Sequence, residues 1–134
     1  AIEEDMADEI GRILGYDKVT PVIPKIDFQP KVNRIYAKIS GARNRLLNDG
    51  YSEVMTYTFA NKGKVGVLAS ASDKKFLRAN LSDGLKESLK LNQINAVLLG
   101  LKEIKIFEIG TVWTPKEEMR VAYNEGSKII EKTI

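Results

Sequence analysis

The clearest group of side chains that could do chemistry lies near the start of the chain. Three carboxylates and one guanidinium recur there at positions i, i+3, i+4 and i+7, namely Asp5, Asp8, Glu9 and Arg12. On a helix, this spacing places all four on one face. Carboxylate oxygens are the ligands that a hard cation such as Mg²⁺ takes in proteins, together with water. The spacing alone favours an acidic face exposed to solvent, because charge runs on helices usually have that role.

Composition narrows the possible chemistry further. The chain of 134 residues contains no Cys and no His. This excludes disulfide bonds, thiolate or imidazole metal sites, and catalysis by Cys or His within these residues. Hydrophobic residues make up 43% and charged residues 29%, as in a folded globular domain. No apolar run approaches the roughly 20 residues that span a bilayer, and no secretion signal is recognisable, so we expect a cytoplasmic protein.

A second candidate surface is basic. The net charge is +3, and five basic residues with no acidic one between them fall in one segment: Lys31, Arg34, Lys38, Arg43 and Arg45. Such a segment could contact phosphates, with each contact adding salt-dependent affinity. The alternative is a solvated helix face whose aliphatic stems lie on apolar surface. The aromatic residues show no base-stacking pattern, so a free-standing RNA-binding module stays an alternative function.

Periodicity predicts the elements that position these residues. Apolar residues recur with helical spacing over 6–14 and again over 32–47, which predicts two amphipathic helices. Pro21 and Pro24 favour an extended connector between them. The predicted domains are residues 1–24 and 25–134.

The middle of the chain predicts a strand and an irregular segment. Residues 53–59 are rich in β-branched and aromatic types, which predicts a strand with Met55, Tyr57 and Phe59 on its more apolar face. Small residues dominate 64–73. We expect a short helix or an irregular loop there.

The last third of the chain predicts a helix followed by paired strands. A third helix begins at a cap formed by Ser82 or Asp83 and continues to about Asn92. Residues 104–113 predict the longest strand, with 119–123 as its partner across a turn. Helices beside strands joined by irregular segments indicate an α+β fold with an antiparallel sheet.

A series of short motifs runs along most of the chain. The first helix and connector carry the run Glu4-Asp5-Met6-Ala7-Asp8-Glu9-Ile10-Gly11-Arg12-Ile13-Leu14-Gly15-Tyr16-Asp17-Lys18-Val19. Residues 46–59, directly after Arg45, match the pattern L-L-x-x-G-Y-x-E-V-x-T-Y-x-F. Three pieces follow: Leu77-Arg78-Ala79-Asn80-Leu81, Gly84-Leu85-Lys86-Glu87-Ser88-Leu89 and Lys105-Ile106-Phe107-Glu108-Ile109-Gly110-Thr111-Val112-Trp113. In content and order they resemble the bacterial-type phenylalanyl-tRNA synthetase β-subunit family.

The resemblance implies a fold and a role. In that family, the β module resembles the class II synthetase catalytic fold, an antiparallel sheet flanked by helices, and is non-catalytic. We therefore expect a partial copy of this fold with exposed sheet edges, preceded by a helix from the end of the winged-helix-like domain. The complete enzyme joins two α and two β chains and charges tRNA with phenylalanine, using ATP on the α subunit. The implied partners of this chain are the α subunit and tRNA(Phe).

The resemblance also implies Mg²⁺ at the acidic face. Asp5, Asp8 and Glu9 stand where the family has carboxylate ligands of a β-chain magnesium site. A further acidic ligand of the family lies six residues before the position of Asp5, outside this chain, and Asp8 stands where a longer Glu is usual. We therefore expect an incomplete site that binds Mg²⁺ weakly.

A third hypothesis is an independent enzyme descended from the class II fold. Arg78 stands at the place of a motif-two-like arginine. No motif in the chain supplies the paired Arg and acidic residues that ATP activation requires. We therefore interpret Arg78 as a structural residue rather than a nucleotide ligand, and we assign no catalytic residue to this chain.

Overall fold

A computed structural model describes residues 2–68 and 73–134 of the chain. Contacts divide it into two units, one ending at Lys31 and one beginning at Val32. The predicted domains, residues 1–24 and 25–134, stay predictions. No helix in the described parts of the chain is long and apolar enough to cross a membrane.

The first unit contains one α-helix and an extended segment. Helix α1 spans Glu3–Leu14 and ends at Gly15, whose φ of +90° is a conformation that residues with a Cβ rarely adopt. A 3-10 turn, Tyr16–Lys18, follows. The ring of its tyrosine lies against Gly11, where an added Cβ would come within 3.1 Å of the ring. The predicted amphipathic helix is confirmed, and none of its residues is buried.

The described residues of the second unit form two α-helices and six strands. Helix α2 spans Arg34–Asn48 and helix α3 spans Ser82–Asn95. The strands are β1 (Ser52–Glu53), β2 (Phe59–Ala60), β3 (Phe76–Leu77), β4 (Ile106–Trp113), β5 (Glu117–Glu125) and β6 (Lys128–Thr133). Four of them form one sheet in the order β1-β4-β5-β6, and β2 pairs with β3 in a separate antiparallel ribbon. In the sheet, β1 is parallel to β4, and the other pairs are antiparallel.

Alternation along β4 separates two apolar clusters, because successive side chains of a strand point to opposite faces. One face packs against α3 in a cluster of Leu81, Leu85, Leu89, Ile106, Val112 and Ala122. The other face packs against the end of α2 in a cluster of Leu46, Phe107 and Val121. Full burial of one such Leu or Phe contributes on the order of 1.5–3 kcal/mol. The core therefore lies on both faces of the β4–β5 pair.

These elements confirm the predicted α+β class in part. The long strand and its partner are present as β4 and β5, paired antiparallel. The sheet is mixed rather than wholly antiparallel, because β1 runs parallel to β4. Strand β6 was not predicted, and it forms one edge of the sheet in the described residues. Closer similarity to the class II fold stays a prediction, and part of the predicted 64–73 segment, residues 69–72, lies outside the described residues.

The predicted strand over 53–59 is wrong. Strands β1 and β2 occupy only its ends. Met55 is 94% exposed and Tyr57 is 59% exposed, whereas Val54 and Thr56 are half-buried. The inward side is therefore opposite to the predicted one. The reason is that a buried ion pair lies beneath this segment and takes polar partners from it.

The amides at the start of α3 donate hydrogen bonds to two side chains. The side chain of Asn80 accepts from the amide of Asp83 at 2.9 Å. The carboxylate of Glu131, on β6, accepts from the amides of Leu81 and Ser82 at 3.2 and 3.0 Å. The negative charge also suits the positive end of the helix dipole. The predicted cap at Ser82 or Asp83 is therefore wrong, because side chains outside the helix satisfy these donors.

The environment of Glu131 predicts a stability that depends on pH. Burial acts to raise the pKa of Glu131, but hydrogen bonds from the Ser82 hydroxyl, Arg120 and two backbone amides outweigh it and hold the pKa below its usual value. A carboxylate with a lowered pKa stabilises the folded state above its unfolded pKa of about 4.3. That stability is lost as the pH falls through the folded pKa.

Glu131→Gln should therefore lower the free energy of unfolding by about 1–2 kcal/mol near neutral pH. The difference from the parent chain should shrink as the pH falls below about 4, where the parent carboxylate is itself protonated. Urea denaturation across this pH range measures both effects. Glu117→Gln is the matched control, because Glu117 is an exposed carboxylate of the same sheet. If Glu131→Gln lowers the free energy of unfolding equally at every pH, the effect does not come from the charge of Glu131, and the prediction is contradicted.

Candidate functional site

The acidic face of α1 has partners within the protein. The carboxylate of Asp5 accepts a hydrogen bond from an amide at the start of the helix at 2.9 Å. The carboxylate of Asp8 accepts one from the hydroxyl of Tyr16, and this bond raises the pKa of Tyr16. The guanidinium of Arg12 lies 3.6 Å from Asp8 and 3.5 Å from Glu9. The predicted side chains are therefore on one helix, but they are held by protein groups.

This arrangement does not fit a metal ion as it stands. Among residues 2–68 and 73–134, no three acidic side chains are gathered closely enough to hold one. Both oxygens of Asp8 have protein neighbours, since one accepts from Tyr16 and the other lies 3.6 Å from Arg12. The Mg²⁺ site of Asp5, Asp8 and Glu9 stays a prediction.

The basic residues of the predicted phosphate-binding segment are divided between the units. Lys31 belongs to the first unit, and the others belong to α2 in the second. Arg43 forms a bidentate ion pair with Glu53, with nitrogen–oxygen distances of 2.8 and 3.0 Å, and these hydrogen bonds raise the pKa of Arg43. The basic side chains of α2 that stay exposed are Arg34, Lys38 and Arg45.

A cleft of about 760 Å³ opens in the second unit, between α3 and the chain around β2. Its lining comes from three separate segments of the sequence, which is why the sequence did not reveal it. Residues on the β2 side include Tyr57, Phe59, Lys62 and Lys74, and residues on the α3 side include Asn80, Asp83, Lys86 and Glu87.

Arg78 lies at the floor of this cleft and is only 9% exposed. Its Nη1 donates to Glu108 at 2.6 Å, and its Nε donates to the carbonyl of Thr111 at 2.9 Å. Glu108, 1% exposed, also accepts from the amide and hydroxyl of Thr56 at 3.1 and 2.6 Å. In the described residues, no buried side-chain nitrogen or oxygen lacks a partner. A buried ion pair requires this completeness, because unpaired charges are costly to desolvate.

Two glycines of the sequence motifs make room for the pair. A Cβ at Gly110 would lie 2.3 Å from Nη2 of Arg78. A Cβ at Gly84 would lie 2.5 Å from the hydroxyl oxygen of Thr56. Both distances are shorter than atoms can approach, and the colliding groups are held by the ion pair. The motif glycines therefore have a packing role around Arg78.

Two of the three side-chain nitrogens of Arg78 are committed to the protein. A guanidinium recognises phosphate by presenting a free fork of N–H groups, and here Nη1 already donates to Glu108 and Nε to a backbone carbonyl. This burial supports the structural interpretation of Arg78, which stays a prediction. Glu108 itself was missed, although an acidic residue at an inward position of an apolar strand is a signal for a buried partner.

Comparison with known families decides the identity of the fold. A family model described as the phenylalanyl tRNA synthetase beta chain CLM domain matches residues 19–129. The chain belongs to this synthetase β-chain family. The matched range contains Arg78, Glu108 and both motif glycines, and it begins after the three predicted metal ligands.

Comparison with individual proteins also finds members of this β-chain family. The phenylalanine–tRNA ligase beta subunit of Rickettsia felis is 32% identical over 117 residues, which is 81% of this chain and 14% of the relative. The chloroplastic subunit of Pyropia yezoensis is 32% identical over 133 residues, 98% of this chain and 17% of the relative. The beta subunit of Francisella tularensis is 25% identical over 134 residues, which is 92% of this chain and 16% of the relative. This chain thus spans less than a fifth of the length of these β subunits.

The ion pair gives a prediction about stability. Arg78→Met or Glu108→Leu alone should lower the free energy of unfolding by about 3–5 kcal/mol, because each leaves one buried charge unpaired. The double variant should lose less free energy of unfolding than the two single variants together, since it leaves no unpaired charge buried. Urea denaturation of the three variants completes the double-mutant cycle.

Glu103→Gln serves as the matched control, because Glu103 is 63% exposed and pairs with Lys105 only at 3.9 Å. Its effect should stay below about 0.5 kcal/mol. Additive losses in the Arg78 and Glu108 cycle would contradict the proposed coupling.

The acidic face gives a prediction about metal binding. Mg²⁺ should bind this chain weakly, with a dissociation constant in the millimolar range or above, because the carboxylates of α1 already have protein partners. Isothermal titration calorimetry measures the affinity. Tight binding that disappears in Asp5→Ala and persists in Glu3→Ala would contradict this prediction.

Proposed function

We propose that this chain is a non-catalytic part of a phenylalanine–tRNA ligase β subunit. In this proposal, it pairs with the α subunit and supports the binding of tRNA(Phe). The complete cytoplasmic enzyme, with its active site on the α subunit, uses ATP to charge that tRNA with phenylalanine. Membership of the β-chain family and the names of the relatives support the proposal.

The observation that carries the non-catalytic role is the burial of Arg78 against Glu108. An arginine in this state cannot neutralise the phosphates of ATP without breaking a buried ion pair, which would cost several kcal/mol. The surrounding sheet, with a helix on each face, is compatible with a partial class II scaffold. We propose that this scaffold serves to present binding surfaces to the α subunit and to tRNA.

Helix α2 supports the pairing role. Its first half exposes large apolar side chains: Ile35 is 63% exposed and Tyr36 is 68% exposed. This half is a formed helix rather than a fraying end, because the side chain of Asn33 accepts a hydrogen bond from the amide of Tyr36 at 3.1 Å. In all of α2, only Leu46 is buried. Exposed apolar surface on a formed helix is typical of a protein–protein contact.

Co-purification with a tagged phenylalanyl-tRNA synthetase α subunit tests the proposal. The parent chain should be retained by the α subunit, and the double variant Ile35→Asp with Tyr36→Asp should lose at least about tenfold in retention, because two charges would enter the contact. Leu98→Asp is the matched control, since Leu98 is equally apolar and exposed but lies after α3.

The isolated chain should also form no phenylalanyl-tRNA from phenylalanine, ATP and tRNA. Failure of the parent chain to bind the α subunit would overturn the pairing role. Product in the charging assay that Arg78→Met abolishes would overturn the non-catalytic role.

A further inference from the structure

We propose that the cleft between α3 and the β2 side binds single-stranded RNA, with a base stacked on Tyr57 and phosphates paired with Lys62 and Lys86. The inference rests on the proposed function, in which a tRNA is the nucleic acid that the complete enzyme handles. It assigns a contact surface for unpaired nucleotides to this chain.

An aromatic platform forms one wall of the cleft. The ring centroids of Tyr57 and Phe59 are 5.4 Å apart at an angle of 55°. The ammonium of Lys74 lies 5.0 Å from the Tyr57 centroid, yet Tyr57 is still 59% exposed. An exposed ring inside a cleft offers a stacking surface to any base, because every base has a π-face.

Basic side chains lie on both sides of the cleft. Four basic and two acidic side chains line it, and Glu108 neutralises one of the basic ones, Arg78. Neither Lys62 nor Lys86 has a hydrogen bond or an ion pair with another residue that the structure describes. These two ammonium groups come from the two sides of the cleft, so a phosphate backbone that crosses it can meet both.

The two acidic side chains at the rim both belong to α3. Asp83 is held by the side-chain amide of Asn80 at 3.0 Å. Glu87 is exposed. Both belong to α3, whereas the aromatic platform belongs to the β2 side of the cleft.

The shape of the cleft favours a single strand over other nucleic-acid forms. Its volume of about 760 Å³ lies within the range of pockets that enclose a nucleotide-sized group. Bases of a duplex are stacked inside the helix, and only an unpaired base can reach the ring of Tyr57.

The same cleft does not favour a free nucleotide triphosphate. Recognition of a polyphosphate uses fixed donors, such as backbone amides of a glycine-rich loop or the fork of an arginine. Here the fork of Arg78 is occupied by Glu108. What remains are flexible lysines at the rim, which suit successive phosphates of a backbone.

Fluorescence anisotropy with a labelled, unstructured RNA of about eight nucleotides tests the inference. Tyr57→Ala should weaken binding by roughly 5- to 150-fold, the equivalent of about 1–3 kcal/mol for one stacked base. Tyr57→Phe should retain binding. Lys62→Gln with Lys86→Gln should reduce the slope of log affinity against log salt by about 1.4, which corresponds to two lost phosphate contacts on a single strand.

Arg34→Gln with Lys38→Gln is the matched control, because it removes two exposed charges from α2 rather than from the cleft. The proposal is overturned if this control, and not the cleft variants, reduces binding. It is equally overturned if the RNA does not bind, if a duplex binds as tightly, or if a free nucleotide competes better than the oligonucleotide. Retention by the α subunit, measured in parallel, separates failure of this inference from failure of the proposed function.

Discussion

A guanidinium and a carboxylate, buried together between α3 and the sheet, determine how the second unit is assembled. Arg78 and Glu108 can stay charged in the interior only if the neighbouring chain satisfies their remaining donors and acceptors. Thr56 turns inward to supply an amide and a hydroxyl, and Thr111 supplies a carbonyl. Because Thr56 points in, its neighbours Met55 and Tyr57 must point out. The irregular path of this segment is therefore a consequence of the ion pair.

The same pair has a consequence for function. Nε and Nη1 of Arg78 already donate to Thr111, Thr56 and Glu108, which leaves few of its donors for a ligand at the floor of the cleft. The second unit has two surfaces that could bind a partner. Helix α2 offers exposed apolar side chains, and the cleft offers an aromatic ring with lysines on both sides. The proposed binding roles of the chain depend on these two surfaces.

Local pattern was sufficient to predict the regular elements. The helical spacing of apolar residues located α1, α2 and α3, and the run over 104–113 located β4, because these signals arise within the elements themselves. Strand β6 was missed, since its sequence Lys128–Thr133 mixes charged and apolar residues without a clear alternation. Tertiary contacts explain the other errors. The capping of α3 by Glu131 crosses 50 residues of sequence.

The candidate sites show the same division between local and tertiary information. The spacing of Asp5, Asp8 and Glu9 correctly placed them on one helix, but it could not show that Tyr16 binds Asp8. Strand propensity predicted that the wrong side chains of residues 53–59 point inward. Propensity reflects packing on an apolar surface, and it does not report that a buried charge takes hydrogen bonds from this segment. The cleft combines separate segments within residues 55–91, so only the fold could reveal it.

Proton NMR of the Arg78 Nε–H group tests the central claim most directly. Its signal, assigned by its loss in Arg78→Lys, should be protected from exchange with water, and it should not shift when ATP and Mg²⁺ are added. A rapidly exchanging Nε–H group that shifts on addition of ATP would show that Arg78 is open to the cleft, and would contradict the account.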